Sequence, residues 1–303
     1  MHTLWSRDHQ GCSFALAQPE GARQLNAMRA YAMNGAGNAF ILLDARGEPS
    51  PPRPSTREVT DLHARHPFDQ LIVLADGADN CLSLRFWNAD GGEAGACGNG
   101  TRAAAWHVFE EGGPALLSFD SVGGPLTARR LASGEAEVDL GAPGLGWRDI
   151  PLSQAMDTRS LDYEVEADGV RLHAPGAVSM GNPHAVFFVE AVADLPLALL
   201  GPRVEQDRLF PERVNAGFAE LRGSDQIRLR VWERGAGLTL ACGTGACAAL
   251  VAANRRGLAG REAQIEADGG LLSVRWDGAD DAGHVFLSGP VELEAQLDPD
   301  VWR

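Results

Sequence analysis

The sequence predicts an α/β protein made of two copies of one unit, in which short strands surround a buried helix. Two observations carry this prediction. Landmark residues recur at an offset of about 145 positions, and each copy contains an Ala-rich segment flanked by segments that alternate apolar and polar residues. The length agrees, because 303 residues are enough for two domains that each bury a core.

The internal repeat is visible at five landmarks that keep the same order along the chain. Cys97 and Cys242 lie 145 residues apart, and Trp87 and Trp232 have the same separation. The other offsets lie between 144 and 147; these pairs are Gly37-Asn38 with Gly181-Asn182, Gly123-Gly124 with Gly269-Gly270, and Pro143 with Pro290. Five ordered matches with so little drift indicate a duplicated unit.

Each unit contains an alternating strand, a Gly-rich turn and an Ala-rich helix, in that order. Residues 82–87 and 227–232 alternate apolar and polar side chains, which is typical of a half-buried strand. Residues 101–111 and 246–256 are rich in Ala and are followed by Gly, which is typical of a helix and its C-terminal stop. The second helix is apolar on nearly all sides, so we expect it to be buried.

Two domains and one extension are expected. We expect an N-terminal domain of residues 28–145 plus 291–303 and a C-terminal domain of residues 146–290. Residues 1–27 have neither the basic and apolar regions of a secretory signal nor the Arg-rich character of a transit peptide. We therefore expect them to be an extension outside the fold, either disordered or derived from a non-native start. An added edge strand is the alternative.

Composition excludes several classes of protein. With 26 Lys and Arg against 41 Asp and Glu, the formal net charge is −15, which argues against a nucleic-acid partner. No segment approaches the ~18 consecutive apolar residues of a membrane span, so we expect no membrane association and a cytoplasmic location. The five Cys residues are sparse and odd in number, so we expect free thiols rather than a disulfide scaffold.

The chemistry is predicted at Cys97 and Cys242, each of which precedes a predicted helix inside a Cys-Gly-x-Gly turn. There the helix dipole and unpaired N–H groups favour the thiolate and lower the pKa from its free value of about 8.5. The same N–H groups can bind a carboxylate. Two such turns about one cleft would let one sulfur remove a proton from a stereocentre while the other delivers a proton to the opposite face.

A packing role is the alternative for every cysteine, because buried Cys is a common core residue. We interpret Cys81 and Cys247 in that way. For Cys97 or Cys242 alone a packing role would explain the residue equally well, but recurrence in the same glycine-flanked turn favours chemistry for both. The two sulfurs would titrate as a coupled pair. Cys242 and Cys247 have no second Cys pair and no nearby His, so no metal site is predicted.

Around these turns the sequence resembles the diaminopimelate epimerase family, over about residues 28–303. The motifs that carry the resemblance are Gly37-Asn38, Phe68-Asp69-Gln70, Asn88-Ala89-Asp90-Gly91, Ala96-Cys97-Gly98-Asn99-Gly100, Gly181-Asn182-Pro183-His184-Ala185, Asn215, Trp232-Glu233-Arg234-Gly235 and Ala241-Cys242-Gly243-Thr244-Gly245. The resemblance implies an α+β fold of two pseudo-symmetric domains, each a barrel-like, mostly antiparallel sheet around a central helix.

The resemblance also implies an activity. It implies an isomerase that needs no cofactor, pyridoxal phosphate included, and that interconverts LL- and meso-2,6-diaminopimelate by two-thiol proton transfer at the α-carbon. That reaction would serve lysine and peptidoglycan biosynthesis, and the family resemblance suggests a homodimer. Carried over by residue, Cys97 and Cys242 are the catalytic pair, and His184 and Glu233 tune their pKa values. The implied substrate-binding residues are Asn38, Gln70, Asn88, Gly98, Asn99, Asn182, Asn215, Glu233, Arg234, Gly243 and Thr244.

These roles make physical sense, because diaminopimelate is a double zwitterion. Arg234 can grip a carboxylate with its fork of N–H groups, and Glu233 can accept from an ammonium. Plainer explanations exist for each residue: the Asn residues as turn formers, His184 as a structural residue, and Glu233 with Arg234 as a solvated pair. The sequence also departs from the family pattern at residues 65–69, where glycines are usual, at Ala39, and at Gly92 and Gly95 before Cys97.

Three other functions remain open at this point. A proline or hydroxyproline racemase of the same architecture would share the two cysteines but would not need Asn88, Asn182, Asn215 and Arg234 for a distal zwitterion. A thiol redox or metal-binding protein would have no need for glycine-lined carboxylate turns, and the sequence has no Cys-x-x-Cys motif. A descendant that binds without catalysis is the third.

Overall fold

The computed structural model describes residues 28–79, 81–278 and 282–303, so the expected extension of residues 1–27 lies outside the described residues. The described helices are α1 (Thr56–Arg65), α2 (Gly98–Glu110), α3 (Leu197–Glu205) and α4 (Gly243–Arg255). The first strands are β1 (Arg29–Gly35), β2 (Asn38–Asp44), β3 (Gln70–Asp76), β4 (Leu82–Asn88), β5 (Glu93–Ala94), β6 (Leu116–Asp120), β7 (Leu126–Arg130) and β8 (Ala136–Asp139). The remaining strands are β9 (Glu164–Ala167), β10 (Val170–His173), β11 (Gly176–Ser179), β12 (Pro183–Val189), β13 (Asn215–Leu221), β14 (Gln226–Glu233), β15 (Gly237–Thr239), β16 (Glu262–Ala267), β17 (Gly270–Trp276), β18 (Val285–Ser288) and β19 (Glu292–Leu297).

The duplication is visible in the strand pairing. In the first half the neighbouring strands follow the order β1-β2-β3-β4-β6-β7-β8. The successive pairs in this order are antiparallel, parallel, antiparallel, parallel, antiparallel and antiparallel. In the second half β11-β12-β13-β14-β16-β17-β18 repeats the same succession. Strand β18 also pairs with β8, which joins the two halves into one sheet of 17 strands. The predicted fold class is confirmed.

A central helix fills each half. Ala103, Ala104 and Ala105 of α2 have no exposed surface and pack inside the strands of the first half. In α4 the residues from Ala246 to Ala253 are all buried in the second half, as its all-round apolar sequence predicts. Small side chains allow the strands to approach these helices closely, and burial of the apolar strand faces stabilises the arrangement.

The two remaining helices cover the outer faces of the sheet. Helix α1 begins with a capping box, in which Ser55 and Glu58 satisfy each other's backbone N–H groups, and it buries Val59 and Leu62. Helix α3 occupies the equivalent place in the second half and buries Leu200, among others. Each half therefore has a core on both sides of its sheet.

The expected domain boundaries stay a prediction. The placement of residues 291–303 with the N-terminal domain fits the antiparallel pairing of β19 with β1. Within the described part of the chain, no helix is long and apolar enough to cross a membrane.

One expectation about the cysteines is wrong. Cys97, Cys242 and Cys247 are free thiols, but Cys81 is disulfide-bonded. Cys81 directly precedes β4 and is half-buried, so it is not the core thiol that the sequence suggested. Cys247 is fully buried within α4, in agreement with a packing role.

An ionic cluster lies at the C-terminal end of α2. Asp44, at the end of β2, is 2% exposed and accepts hydrogen bonds from Arg46 at 2.6 Å and Arg29 at 2.5 Å. His107 Nε2 lies 3.2 Å from the same carboxylate, and Glu111 bridges both arginines. Asp44, His107 and Glu111 are close enough together to hold a cation. The two arginines already neutralise these carboxylates, so we interpret the cluster as structural.

Candidate active site

A cavity of about 650 Å³ lies where the N-termini of α2 and α4 meet. It brings together the residues that the sequence analysis singled out, with one exception. Those on its wall are Asn38, Gln70, Asn88, Cys97, Gly98, Asn99, Asn182, Asn215, Glu233, Arg234, Cys242, Gly243 and Thr244. The exception is His184, which is fully buried behind the wall. The protein folds residues from positions 38 to 244 around one polar cavity.

Both cysteines are the N-cap residues of their helices. Cys97 has φ −145° and ψ 116°, and Cys242 has φ −132° and ψ 108°, so the two turns have nearly the same backbone conformation. Cys97 Sγ accepts a hydrogen bond from the Gly100 N–H at 3.3 Å. Cys242 Sγ lies 3.6 Å from Thr244 Oγ1. Each sulfur therefore lies at the positive end of a helix, beside donors that can stabilise a thiolate.

The glycines in these turns make close packing possible. A Cβ on Gly243 would lie 2.8 Å from a methyl carbon of Leu287 and 2.9 Å from Asn99 Oδ1. A Cβ on Gly98 would lie 3.4 Å from the same Leu287 methyl carbon. Leu287, which is fully buried on β18, thus packs beneath both turns. The shared contact with Leu287 limits how closely the two cysteine turns can approach each other.

The pKa of each cysteine is raised, contrary to the expectation from the helix termini. Burial raises the pKa of Cys97 to about 11, against the opposing effect of the Gly100 and Asn99 N–H groups. Burial, followed by the nearby Glu233, raises the pKa of Cys242 well above its usual value. The free-energy cost of transferring a thiolate out of water exceeds the stabilisation that the N–H donors of the turn provide. Without substrate, both thiols are therefore protonated at neutral pH.

Glu233 faces the Cys242 thiol from the end of β14. Burial raises the pKa of Glu233, and the neighbouring Asp69 carboxyl adds to the rise. Thr239, on the adjacent strand β15, donates a hydrogen bond of 2.6 Å to Glu233 Oε1 and fixes the carboxyl group. In this position Glu233 disfavours ionisation of Cys242 until a cation enters the cavity.

The His184 ring is linked to Cys242 by the Thr244 hydroxyl group, which contacts both residues. His184 Nε2 lies 3.1 Å from Asn182 Oδ1 and 3.1 Å from Thr244 Oγ1, and Asn182 Nδ2 donates to that hydroxyl at 3.2 Å. Burial, followed by the Arg234 cation, lowers the pKa of His184 to about 3, so the ring is neutral. Since Asn182 donates to Thr244, the hydroxyl proton of Thr244 is available to the Cys242 sulfur.

Amide side chains line the first half of the cavity. Asn38 Oδ1 accepts from Asn99 Nδ2 at 2.5 Å, and Asn38 Nδ2 lies 3.4 Å from Asp69 Oδ2. Gln70 and Asn88 are cross-strand neighbours on β3 and β4, and Gln70 Nε2 donates to Asn88 Oδ1 at 2.9 Å. Gln70 Oε1 is buried without a partner among the described residues. That oxygen is available to accept from a bound ammonium group.

Arg234 is held at the opposite side of the wall. Its backbone N–H donates to Asn215 Oδ1 at 2.8 Å, and its guanidinium Nη1 donates to the Glu212 carbonyl at 2.8 Å. Asn215 also donates to the Pro183 carbonyl at 3.0 Å, so both ends of this amide are used within the protein. Asn215 therefore orients Arg234, whose remaining N–H groups can bind a carboxylate.

Three residues of this region are not predicted from the sequence. The sequence places Asp69 in a motif and Arg102 in a predicted helix without a role for either, and it gives no role to Thr239. Asp69, which directly precedes β3, and Thr239, which ends β15, are brought to the cavity only when the sheet forms. Arg102 carried a signal, because a cation stands in an otherwise apolar stretch of α2.

Comparisons with known proteins show the family to which this chain belongs. A model of the family described as diaminopimelate epimerase matches residues 30–145 and 176–294. The diaminopimelate epimerase of Acidiphilium cryptum is 49% identical over 88% of this chain and 95% of its own length. That of Phenylobacterium zucineum is 49% identical over 87% of this chain and 95% of its own. This chain belongs to the diaminopimelate epimerase family.

The family fold extends to more distant proteins. A crystal structure of a hydroxyproline epimerase from Agrobacterium vitis superposes with a TM-score of 0.63 over 91% of this chain and 96% of that one, at 14% identity. At this identity the likeness shows the fold alone. The diaminopimelate epimerase family is thus indicated by sequence, and the two-fold repeated architecture by both sequence and structure.

Proposed function

We propose that this protein is a diaminopimelate epimerase that interconverts LL- and meso-2,6-diaminopimelate, with Cys97 and Cys242 as the acid/base pair. The observation that carries the proposal is the placement of two helix-capping cysteines on one cavity with the amides, Glu233 and Arg234. The reaction is an isomerisation within lysine and peptidoglycan biosynthesis. We also propose a cytoplasmic homodimer that uses no cofactor.

The substrate carboxylate next to the reacting carbon is expected to bind the first-turn N–H groups of both helices. Gly98, Asn99, Gly243 and Thr244 contribute these groups, and the positive helix ends stabilise the charge that builds up on the carboxylate when the α-proton leaves. At the other end of the substrate, Arg234 binds the distal carboxylate with its free N–H groups. The double zwitterion is therefore matched by donors at both ends of the cavity.

Proton transfer balances between the two sulfurs. One cysteine, as thiolate, takes the α-proton and becomes a thiol, while the other gives its proton to the opposite face of the carbon and becomes a thiolate. The stereocentre is inverted and the protonation states of the cysteines are exchanged. Since burial raises both thiol pKa values, the thiolate must form with the help of the bound substrate, whose ammonium group offsets the charge of Glu233.

The test is incubation of reduced protein with LL-diaminopimelate in D2O, without any added cofactor. We expect deuterium at the α-carbon and accumulation of the meso isomer, and no exchange into trans-4-hydroxy-L-proline as a control substrate. Cys97→Ser and Cys242→Ser should each abolish epimerisation. Cys247→Ala changes a buried thiol outside the cavity wall and should retain activity. Absence of exchange in folded, reduced wild-type protein would refute the proposal.

A further inference from the structure

Arg102 is a buried cation with few partners. It lies in α2 with no exposed surface, close behind the Cys97 turn. Its Nη1 donates to the Pro290 carbonyl at 2.5 Å and its Nη2 donates to Asn99 Oδ1 at 3.2 Å, while Nε has no hydrogen-bond partner among the described residues. In the described part of the chain, no carboxylate lies within ion-pair distance of it. An unpaired buried guanidinium is costly, so packing alone does not account for it.

The repeat shows that this charge belongs to one half only. At the offset of 145 residues, the position in α4 that corresponds to Arg102 is Cys247, a neutral buried thiol. The reverse holds at the strand ends, where the position that corresponds to Glu233 is Asn88. Cys97 therefore has a buried cation on its own helix, whereas Cys242 has a buried carboxyl group beside it.

We propose that Arg102 is a positioning residue that makes Cys97 the first of the two thiols to ionise and holds the Asn99 side chain against Gly243. It acts through Cys97 and Asn99 and does not itself line the cavity. The contact on the Asn99 amide is direct, and the effect on Cys97 is that of a fixed charge in a region of low dielectric constant.

The charges around both sulfurs support this order. The charged groups that face Cys97 are Arg102 from α2, which favours its thiolate, and Glu233 from β14, which disfavours it. Among the described residues, the charged group that faces Cys242 is Glu233, and the neutral donors Thr244 and the Gly245 N–H also lie beside this thiol. In the part of the chain that the structure describes, the ionisable groups that act on Arg102 are Cys97 and Glu135, which directly precedes β8. Glu233 opposes both thiolates, and Arg102 partly offsets this effect at Cys97.

The consequence concerns the proposed epimerisation, on which this part of the inference rests. Cys97 would start as the base and Cys242 as the acid, so the two directions of the reaction begin from unequal states of the enzyme. The two halves of the repeat would then differ in the charges around their cysteines, although the two cysteine turns have nearly the same backbone conformation.

The experiment is alkylation by iodoacetamide as a function of pH, followed separately at Cys97 and Cys242 by peptide mass spectrometry. It needs no turnover, so its result is independent of whether the protein is an epimerase. In the wild type, the midpoint of Cys97 alkylation should lie at lower pH than that of Cys242. In Arg102→Met the Cys97 midpoint should rise by about one pH unit or more, while the Cys242 midpoint stays in place.

Arg102→Lys separates charge from structure. It keeps a cation but loses the forked contact to Asn99 and Pro290, so the Cys97 midpoint should lie near the wild-type pH while kcat is lower than in the wild type. A wild-type midpoint for Cys242 below that of Cys97 would overturn the proposal, and so would an unchanged Cys97 midpoint in Arg102→Met. If Arg102→Met does not fold, the wild-type order and the Arg102→Lys profile decide the matter. The predicted order without deuterium exchange would refute the proposed function and leave this inference standing.

Discussion

The Oδ1 atom of Asn99 lies against the backbone of Gly243, so the first turn of one central helix packs directly on the first turn of the other. A Cβ on Gly243 would be 2.9 Å from that oxygen, closer than side-chain carbons ordinarily approach. Asn99 is held from behind by Arg102 and from the side by Asn38. Since both turns are expected to bind the same carboxylate, their separation matters for catalysis as well as for stability.

Substitution of Gly243 by Ala should therefore impair both properties. The added methyl group must displace Leu287 or Asn99, and overpacking of this kind lowers the free energy of unfolding by about 1–3 kcal/mol. Misplacement of the turn by an ångström can lower kcat by about 100-fold. Gly260→Ala is the control, because the nearest atoms to its Cβ are 3.8 Å away. Equal effects of the two substitutions, measured by denaturation and turnover, would contradict this account.

Thr244 should matter through its hydroxyl group. The hydroxyl accepts from Asn182, lies beside the His184 ring and is 3.6 Å from Cys242 Sγ. Thr244→Val removes a donor to the Cys242 thiolate, and loss of a hydrogen bond to a charged group should lower kcat by about 10- to 100-fold.

Thr244→Ser keeps the hydroxyl and is the matched control for Thr244→Val. It should retain most of the wild-type kcat, because the contacts with Asn182 and Cys242 need only the oxygen and its proton. Steady-state rates of meso-diaminopimelate formation compare the two variants. If Val and Ser reduce kcat to the same extent, the hydroxyl has no part in proton transfer.

His184 should make the fold sensitive to mild acid. Burial lowers its pKa to about 3 in the folded protein, against about 6.5 in the unfolded chain, so the unfolded chain binds the extra proton. Its contribution to stability is present above pH 6.5 and is lost as the pH falls towards 3, by up to about 1.4 kcal/mol per pH unit. Urea denaturation at pH 7, 6 and 5 measures this slope.

The variant His184→Gln places a donor near the position of Nε2 without a titrating ring, so the pH slope should be smaller than in the wild type. His173→Gln, at an exposed residue of β10, is the control and should leave the slope unchanged. A wild-type slope retained in His184→Gln would assign the acid sensitivity to other groups.

The internal repeat predicts the local backbone structure of the site correctly where that structure follows from nearby residues. Both cysteines lie at helix N-termini as predicted, because a Gly-rich turn before an Ala-rich run restricts where the helix can start. The helices begin at Gly98 and Gly243, three residues before the Ala-rich runs, so that the cysteines are the N-cap residues. The paired Gly-Gly turns also act alike. The Gly123 N–H donates to the Gly95 carbonyl at 2.7 Å, and the Gly269 N–H donates to the Leu240 carbonyl at 2.8 Å. Each Gly-Gly turn thus holds the loop before its own cysteine.

The electrostatics of the site could not be predicted from the same pattern. A helix N-terminus alone predicts a lowered thiol pKa, yet burial raises the pKa of both cysteines. The degree of burial depends on strands that are distant in the chain. The same holds for Thr239, whose contact with Glu233 exists only because β15 folds back on β14. Local motifs therefore point to the groups proposed to react, but not to the environment that sets their ionisation.

The Asp44 cluster should be important for stability and not for chemistry. Strand β2 has Asn38 at the cavity and Asp44 at its other end, so a change at Asp44 leaves the cavity wall intact. Burial opposes ionisation of Asp44, but the hydrogen bonds from Arg46 and His107 outweigh it and hold its pKa well below the usual range. Asp44→Asn removes the buried carboxylate of the two that Arg46 and Arg29 share, leaves Glu111 as the other, and should lower the free energy of unfolding by about 3 kcal/mol.

The pH dependence of this effect has a defined sign. A lowered pKa in the folded state means that the stabilisation by Asp44 is present above about pH 4 and is lost as the pH falls below that value. The difference between the wild type and Asp44→Asn should therefore shrink in acid. Asp61→Asn, which breaks an exposed pair with Arg57, is the control and should cost less than about 0.5 kcal/mol at any pH. A stability difference for Asp44→Asn that is small at pH 7, or that grows in acid, would show that the cluster does not stabilise the fold through an ionised Asp44.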